Sequence, residues 1–192
     1  MSRPIFVLLH GTGGNERDLI PLAEMIDPQA SYLGVLGEVS EQGMPRFFKR
    51  LSEGVFDEED LVYRTKRLHD FLLQAAKDYQ FNFNKIILLG YSNGANMAQS
   101  LLLHYPGFYR QAMLHHPMNV RKEVPFSDLS HTSIFIGAGS FDPLCPIEET
   151  HYLEERLLKA HAKVHVHIEM AGHELTRNEL IEAIDWYQKL SI

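Results

Sequence analysis

The sequence contains a single cysteine, Cys145, and lacks any apolar run that approaches the length of a membrane-spanning helix. One cysteine excludes a disulfide within the chain, which favours a reducing compartment such as the cytoplasm. A spanning helix requires about 20 consecutive apolar residues, so we expect no insertion into a membrane. The apolar segment 5–9 runs directly into glycine-rich sequence, and we therefore expect no signal peptide.

Basic residues are also scarce, since 18 lysines and arginines stand against 25 aspartates and glutamates, for a formal net charge of −7. This sign argues against a nucleic-acid partner, because phosphate binding requires clusters of positive charge. The hydrophobic fraction of 45% and the charged fraction of 22% are typical of a folded globular chain. A length of 192 residues predicts a single domain, residues 1–192, with one core. The sequence leaves open whether the chain forms a homodimer.

Short apolar segments alternate along the chain with segments of helical periodicity. Several of the apolar segments lack polar alternation, which is typical of strands that are covered on both faces in a parallel sheet. Strand–helix alternation predicts right-handed crossovers and an α/β fold, a three-layer α/β/α sandwich with a mostly parallel sheet. The predicted strands are residues 5–9, 85–89, 111–115, 133–136 and 164–169, with 32–36 as a weaker candidate. The predicted helices are residues 19–26, 59–79, 93–105, 147–161 and 174–190.

Residues 90–94 read Gly-Tyr-Ser-Asn-Gly, between a predicted strand and a predicted helix. This G-x-S-x-G pattern in a strand–turn–helix is typical of a nucleophile elbow, in which a sharp turn holds the serine in a strained conformation. Glycines at 90 and 94 remove the clash that side chains would cause there. We therefore predict that Ser92 is a catalytic nucleophile at the carboxyl edge of the sheet. The alternative is a plain tight turn in which Ser92 caps the helix.

Residues 10–14, which follow the first predicted strand, read His-Gly-Thr-Gly-Gly. The glycine spacing does not match a dinucleotide-binding loop, and the Gly-Lys-Ser/Thr of a phosphate-binding loop is lacking, so we expect no cofactor. In a hydrolase such a loop supplies a backbone N–H to the oxyanion of the tetrahedral intermediate. The predicted donors are the backbone N–H groups of Thr12 and Asn93, and His10 is expected to brace the loop. Because the backbone of Thr12 is used, Thr12→Ala is expected to have little effect.

Two later strands are each followed by a residue type that a serine hydrolase requires. Asp142 follows the strand predicted at 133–136, and His173 follows the strand predicted at 164–169. The order Ser…Asp…His is that of α/β-hydrolases. We predict that His173 accepts the serine proton and that Asp142 orients the imidazole. Asp142 could instead be a turn residue, and His173 could cap the final helix.

The other histidines and the cysteine are assigned structural roles. His165 and His167 share one face of a predicted strand, but no third and fourth ligand has convincing spacing, so we predict no metal site. If both lie in a strand, His115 and His116 point to opposite faces, and we expect them to be satisfied by packing. Cys145 lacks an elbow and is expected to be a packed thiol.

Five segments together resemble the phospholipase/carboxylesterase family of α/β-hydrolases, which includes the acyl-protein thioesterases, and especially its small bacterial members. The segments are LLHGTGGNERDLIPLA near the start, FDEEDL at 56–61, GYSNGANMA at 90–98, GSFDPLCP at 139–146 and AGHEL at 171–175. The resemblance spans essentially the whole chain. It implies a triad of Ser92, Asp142 and His173 and an oxyanion donor at Thr12. It also implies a minimal sheet of about six strands, without the additional antiparallel strands of larger relatives.

The resulting hypothesis is hydrolysis of carboxylic esters or thioesters through an acyl-serine intermediate. Residues 37–57 and 117–131 are expected to be long irregular loops of the kind that often carry function. We predict a pocket for small or short-chain acyl or aryl groups, lined by His10, Phe47, Phe48, Phe141 and Leu144. One alternative is a C–C or lactone hydrolase that acts on aromatic ring-cleavage products with the same residues. Another is a non-catalytic ligand sensor, against which the intact set of nucleophile, base and acid argues.

Overall fold

The computed structural model describes residues 3–190, so the ends of the predicted single domain, residues 1–2 and 191–192, lie outside the described residues. The described chain contains ten strands and five α-helices. The strands are β1 (Ile5–Leu9), β2 (Ser31–Val35), β3 (Val39–Glu41), β4 (Met44–Arg46), β5 (Arg50–Ser52), β6 (Val55–Phe56), β7 (Ile86–Tyr91), β8 (Gln111–His115), β9 (Ser133–Gly139) and β10 (Lys163–Glu169). The helices are α1 (Ile20–Ile26), α2 (Glu58–Asp78), α3 (Asn93–His104), α4 (Ile147–Lys159) and α5 (Arg177–Gln188).

Six of the strands form one sheet in which every neighbouring pair is parallel, in the order β10-β9-β8-β7-β1-β2. The predicted parallel sheet of about six strands is therefore confirmed, including the weaker candidate, which the structure places at Ser31–Val35. The strands β1, β7, β8 and β9 occupy the middle of the sheet and are almost wholly buried. The edge strands β2 and β10 are more exposed, which explains why their apolar pattern is weaker.

Helices cover both faces of the sheet. Val7 and Leu9 of β1 pack with residues of α2, α3 and α4, whereas Phe6 and Leu8 pack with residues of α1 and α5. Successive side chains of a strand point to opposite faces, so one set of helices lies on each side of β1. The predicted three-layer α/β/α sandwich is confirmed, and burial on both faces explains why the central strands are apolar throughout.

Side-chain caps determine where two of the helices begin. Asp57 accepts a hydrogen bond from the N–H of Asp60 at the start of α2, and Thr176 accepts one from Glu179 at the start of α5. The helix α5 therefore begins at Arg177 rather than at residue 174, where its periodicity alone placed it. No helix within the described residues is both long enough and apolar enough to cross a membrane.

Residues 37–57 are not the irregular loop that the sequence predicted. They contain two short antiparallel ribbons, β3–β4 and β5–β6. Gln42 and Gly43 connect the first pair and have positive φ angles of 52° and 84°, as a two-residue turn of type I′ requires. Glutamine is uncommon at the first position of such a turn, so the sequence carries little signal for the ribbon. Residues 117–131, all of which the structure describes, contain no helix or strand, as expected.

Candidate active site

Ser92 occupies a sharp turn between β7 and α3. Its φ of 53° and ψ of −115° form a strained combination that residues with a side chain rarely adopt. The flanking glycines permit the turn, because a Cβ at Gly94 would lie 1.9 Å from the carbonyl oxygen of Leu9, and one at Gly90 would lie 2.6 Å from that of Gly94. The side chain of Ser92 makes no capping hydrogen bond to α3, so the alternative of a capping turn does not describe this serine.

His173 lies between Ser92 and Asp142. Its Nε2 is 2.8 Å from Ser92 Oγ, and its Nδ1 is 2.7 Å from Asp142 Oδ2. An ionised carboxylate only accepts hydrogen bonds, so Nδ1 carries the proton and Nε2 accepts from the Ser92 hydroxyl. The three residues follow the carboxyl ends of β7, β9 and β10, at one edge of the sheet. This arrangement can remove the proton from the hydroxyl and stabilise the resulting imidazolium.

Asp142 is 6% exposed, and four N–H groups face its carboxylate. His173 and His116 approach Oδ2, while the backbone N–H groups of Leu144 and Cys145 donate to Oδ1 at 2.8 and 2.9 Å. Burial raises the pKa of this carboxyl, but the hydrogen bonds, of which that from His173 is the strongest, outweigh burial and hold the pKa below its usual value. Asp142 is therefore ionised at neutral pH although solvent barely reaches it.

Tyr91, the last residue of β7, fixes the loop that carries His173. Its hydroxyl donates a hydrogen bond of 2.5 Å to the backbone carbonyl of His173. Burial, reinforced by the negative charges of Asp142 and Glu179, raises the pKa of Tyr91 to about 12, so the phenol remains a donor at neutral pH. The strand β7 thus positions Ser92 directly and the backbone of His173 through Tyr91.

Thr12 and Asn93, the predicted oxyanion donors, line the same cavity as Ser92. Among the described residues, no hydrogen bond uses the backbone N–H of either one. Asn93 is the first residue of α3, where the helix dipole favours negative charge. Arg46 Nη1 donates to Thr12 Oγ1 at 2.7 Å. The N–H of Phe47 donates to Asn93 Oδ1 at 2.8 Å. Thr12 and Asn93 are thus each held through the side chain, and their backbone N–H groups stay available to an anion.

His10 braces the glycine-rich loop, as expected, and does not line the cavity as the sequence also predicted. Its side chain is buried, with Nδ1 2.6 Å from the carbonyl oxygen of Gly11. Its Nε2 accepts a hydrogen bond of 3.0 Å from the N–H of Gly37. Because Nε2 accepts, Nδ1 carries the proton and donates to Gly11. The ring is thereby used on both sides by backbone groups and is not available to a substrate.

The cavity beside Ser92 has a volume of about 310 Å³, and Leu144 is the one predicted pocket residue that lines it. Phe47 and Phe48 are 4% and 0% exposed and pack in the hydrophobic core. Phe141 is 71% exposed and lies outside the lining. The structure corrects these three assignments, because the ribbons of residues 37–57 turn both phenylalanines inward, and the turn after β9 directs Phe141 to solvent.

Other residues that line the cavity were not predicted to do so, among them Arg46, Arg50, Glu53, Asn96, Met118 and Cys145. Most of them lie in residues 37–57 and 117–131, the two stretches that were expected to carry function. The sequence therefore identified the segments, but the side to which each residue points depends on strand register. Cys145 is a packed thiol, as expected: its Sγ donates to the carbonyl of His116 at 3.2 Å, and burial raises its pKa.

His115 is the last residue of β8, whereas His116 lies outside it, so the condition for opposite orientation is not met, and both imidazoles contact Glu179. His116 has a positive φ of 53°, so the chain leaves strand geometry at this residue. His116, Asp142 and His173 bring potential metal-ligand atoms within 4.8 Å of one another. Asp142 Oδ2 is contacted by both imidazoles, at 3.0 and 2.7 Å. The ring protons occupy the space between these atoms, so the group does not fit a metal ion.

Comparisons with known proteins place the chain among hydrolases. A family model described as Phospholipase/Carboxylesterase matches residues 2–191. The "Putative hydrolase MhqD" of Bacillus subtilis (strain 168) is 51% identical over 188 residues, which cover 98% of this chain and 94% of the relative. A crystal structure of the Bacillus cereus carboxylesterase is 53% identical, has a TM-score of 0.96, and matches 97% of this chain and 88% of that chain. A carboxylesterase structure from Mesorhizobium loti is 32% identical, has a TM-score of 0.93, and matches 99% of this chain and 90% of that chain.

The family model and these relatives each match nearly the full length of the chain. The two solved carboxylesterases also share the fold of this chain, since their TM-scores are 0.96 and 0.93. The chain therefore belongs to the phospholipase/carboxylesterase family of α/β-hydrolases and is a hydrolase of the carboxylesterase type.

Proposed function

We propose that the protein cleaves carboxylic esters through an acyl-serine intermediate, with Ser92 as the nucleophile. The observation that carries this proposal is the 2.8 Å contact between Ser92 Oγ and Nε2 of His173, whose Nδ1 contacts the buried carboxylate of Asp142 at 2.7 Å. A histidine held in this way removes the hydroxyl proton as the bond to the acyl carbon forms. Because the groups are already in hydrogen-bond contact, little reorganisation precedes the attack.

The reaction has two halves that use the same groups. Ser92 Oγ attacks the ester carbonyl while His173 takes its proton, and the carbonyl oxygen becomes negatively charged. The N–H groups of Thr12 and Asn93 stabilise this charge, a contribution of about 10²–10³ in rate for each donor. The C–O bond then breaks, and His173 protonates the departing alcohol. Water attacks the acyl-serine by the same route, which releases the acid and regenerates the hydroxyl.

The cavity favours small or short-chain acyl or aryl groups. Its volume of about 310 Å³ lies at the lower end of the range for small-molecule sites, about 300–1,000 Å³. Phe56, Met118 and Leu144 offer apolar contacts to such a group. A long lipid chain would extend beyond the cavity, so its additional methylenes would add little to binding.

A series of p-nitrophenyl esters from acetate to dodecanoate tests both the reaction and the chain length. We expect the highest kcat/KM for short chains, and we expect a fluorophosphonate probe to label the wild-type protein. Ser92→Ala should abolish turnover and labelling while leaving the thermal unfolding midpoint close to that of the wild type. Ser127→Ala, which removes an exposed hydroxyl, is the matched control and should behave as wild type.

Rapid turnover by Ser92→Ala would contradict the assignment of the nucleophile. A wild-type protein that neither cleaves esters nor reacts with the probe would favour the ligand-sensor alternative instead. Acyl thioesters, dienelactones and ring-fission products in the same assay separate ester hydrolysis from thioester, lactone and C–C hydrolysis.

A further inference from the structure

A buried network of hydrogen bonds continues from Asp142 into the core. His116 Nδ1 lies 3.0 Å from Asp142 Oδ2, and His116 Nε2 lies 3.1 Å from Glu179 Oε2. The other carboxylate oxygen of Glu179 lies 2.5 Å from Nδ1 of His115. All four residues are buried, and none is more than 6% exposed. The network joins the proposed catalytic residues to the first turn of α5.

The contacts of His116 determine its charge, because both of its ring nitrogens face carboxylate oxygens. A neutral imidazole has one N–H and can donate to only one of them. The second contact requires a proton either on the other ring nitrogen or on a carboxyl group. Asp142 already accepts from His173 and two backbone N–H groups, and Glu179 is also contacted by His115. These donors favour the ionised carboxylates, so His116 is an imidazolium between two negative charges.

The pKa shifts of His116 and Glu179 both favour the charged form of the group. Burial lowers the pKa of His116, but the hydrogen bonds and charges of Glu179 and Asp142 outweigh it and raise the pKa above its usual value. Burial raises the pKa of Glu179, but the hydrogen bonds from His115 and His116 outweigh it and hold the pKa at about 2. These directions agree with the charges that the contacts require, a cation at His116 between the carboxylates of Asp142 and Glu179.

The other titratable groups that face His116 are His173, Tyr91 and Cys145. The ring centroids of His116 and His173 are 5.2 Å apart, and the ring of Tyr91 is 5.9 Å from that of His116. Burial raises the pKa values of the phenol and of the thiol, so both are neutral. The charge that this cluster presents to His173 therefore comes from the His116 cation and the two carboxylates.

The fold accommodates this network at specific positions. The positive φ of His116 turns its ring out of strand geometry, and its N–H donates to the carbonyl of Gly137 at 2.8 Å. A Cβ at Gly137 would lie 1.8 Å from Glu179 Oε1, so a glycine is needed there. Glu179 stands three residues after the helix cap Thr176, where a capping box would turn its carboxylate back to Thr176, yet it points into the core. Buried ion pairs contribute little net stability, so stability is a poor explanation for the arrangement.

We propose that His116 is a positioning residue, held as a cation by Glu179, which orients the Asp142 carboxylate and opposes protonation of His173. This inference rests on the function proposed for Ser92. A base that resists protonation remains active at lower pH. The cation therefore extends the pH range of activity to lower pH, and removing it should narrow that pH range.

The pH profile of kcat/KM for p-nitrophenyl acetate tests the proposal. A unit charge at the 5.2 Å ring separation moves an acidic limb by about half a unit to two units, depending on the effective dielectric constant. We expect His116→Gln to move the acidic limb upward by about one unit. Glu179→Gln removes the carboxylate that holds the cation and should move the limb in the same direction. The double variant should move it no further than His116→Gln alone.

His69→Gln is the matched control, because it removes a buried imidazole that contacts Tyr109 and no residue of the network. Its acidic limb should coincide with that of the wild type. A His116→Gln variant that loses kcat but keeps the wild-type limb would show that His116 has a structural role alone, and the proposal would fail.

Imidazole ¹⁵N NMR gives a readout that does not depend on turnover. In the wild type, His116 should show two protonated ring nitrogens at neutral pH, and its signals are assigned by their loss in His116→Gln. A single ring proton on His116 would overturn the proposal even if the protein cleaves esters. In a protein that cleaves no ester, a doubly protonated ring would support the cation and refute the proposed function, so the two failures are distinguishable.

Discussion

Replacing Asp142 with asparagine tests the proposed catalytic geometry, because it alters hydrogen bonding and leaves the shape of the side chain almost unchanged. Oδ1 accepts from the backbone N–H groups of Leu144 and Cys145, so the asparagine oxygen has to occupy that position. The amide nitrogen then replaces Oδ2 and faces Nδ1 of both His173 and His116. An amide NH₂ cannot accept a hydrogen bond, so Nδ1 of His173 has to give up its proton.

The resulting tautomer disables the base. When Nδ1 of His173 accepts from the amide, Nε2 carries the ring proton and directs it at Ser92 Oγ, so the imidazole cannot remove the hydroxyl proton. In a serine hydrolase this wrong tautomer lowers kcat by about 10⁴, which corresponds to about 5 kcal/mol of transition-state stabilisation. We expect a loss of that size in Asp142→Asn at neutral pH.

The assay is kcat for p-nitrophenyl acetate, with thermal unfolding followed by circular dichroism to show that the variant is folded. Asp128→Asn is the matched control, because Asp128 is exposed and contacts Ser130 and His161 outside the cavity. It should turn over as wild type does. A folded Asp142→Asn that loses less than about tenfold in kcat would show that another residue orients His173, and would refute the reasoning.

Two further substitutions test the surroundings of the site. Thr12→Ala removes an acceptor of the buried Arg46 guanidinium, so we expect the free energy of unfolding in urea to fall by about 1–3 kcal/mol. Thr12→Ser should restore it, and unchanged stability of Thr12→Ala would contradict the contact. Gly94→Ala places a methyl group 1.9 Å from the Leu9 carbonyl, so α3 has to shift and kcat should fall by about 10². Gly107→Ala adds a Cβ that meets no atom within 4 Å, in a turn outside the cavity. It should keep wild-type turnover, and equal kcat values for the two variants would disprove the steric argument.

The sheet and the convergence of Ser92, Asp142 and His173 could be predicted because local signals mark the strand ends. Strands that are buried on both faces are apolar throughout, and Ser92 and Asp142 follow such strands. His173 follows the edge strand β10, in which apolar and polar residues alternate. Parallel strands bring their carboxyl ends to one edge, so the convergence requires no knowledge of the register between strands.

The cavity wall and the network behind Asp142 could not be predicted, because both depend on contacts between distant segments. Phe47 is turned into the core by ribbons whose strands are two or three residues long, too short to leave a periodic pattern. His116 meets Glu179 across 63 residues of sequence. This contact depends on the positive φ of His116. Because the residue is not a glycine, the sequence gives no sign of that conformation. Glu179 stands at the capping-box position relative to Thr176, a spacing that gives no indication that the carboxylate is buried.

The ribbon β3–β4 and the residue that follows it support both of the N–H groups proposed to bind the oxyanion. Arg46 contacts Thr12, and Phe47 contacts Asn93. Arg46 also belongs to the wall that a substrate would touch. The same ribbon therefore affects both the choice of substrate and the rate of the proposed reaction.

Laboratory evolution toward new substrates would meet this linkage as a constraint. Changing the length or sequence of the ribbon to reshape the cavity wall would also loosen the oxyanion donors. A wider range of substrates would therefore come with a lower kcat. The side chains of Met118 and Leu144 also border the cavity but contact neither donor through a hydrogen bond. Diversity introduced at these two positions would alter substrate preference while the machinery for bond cleavage stays intact.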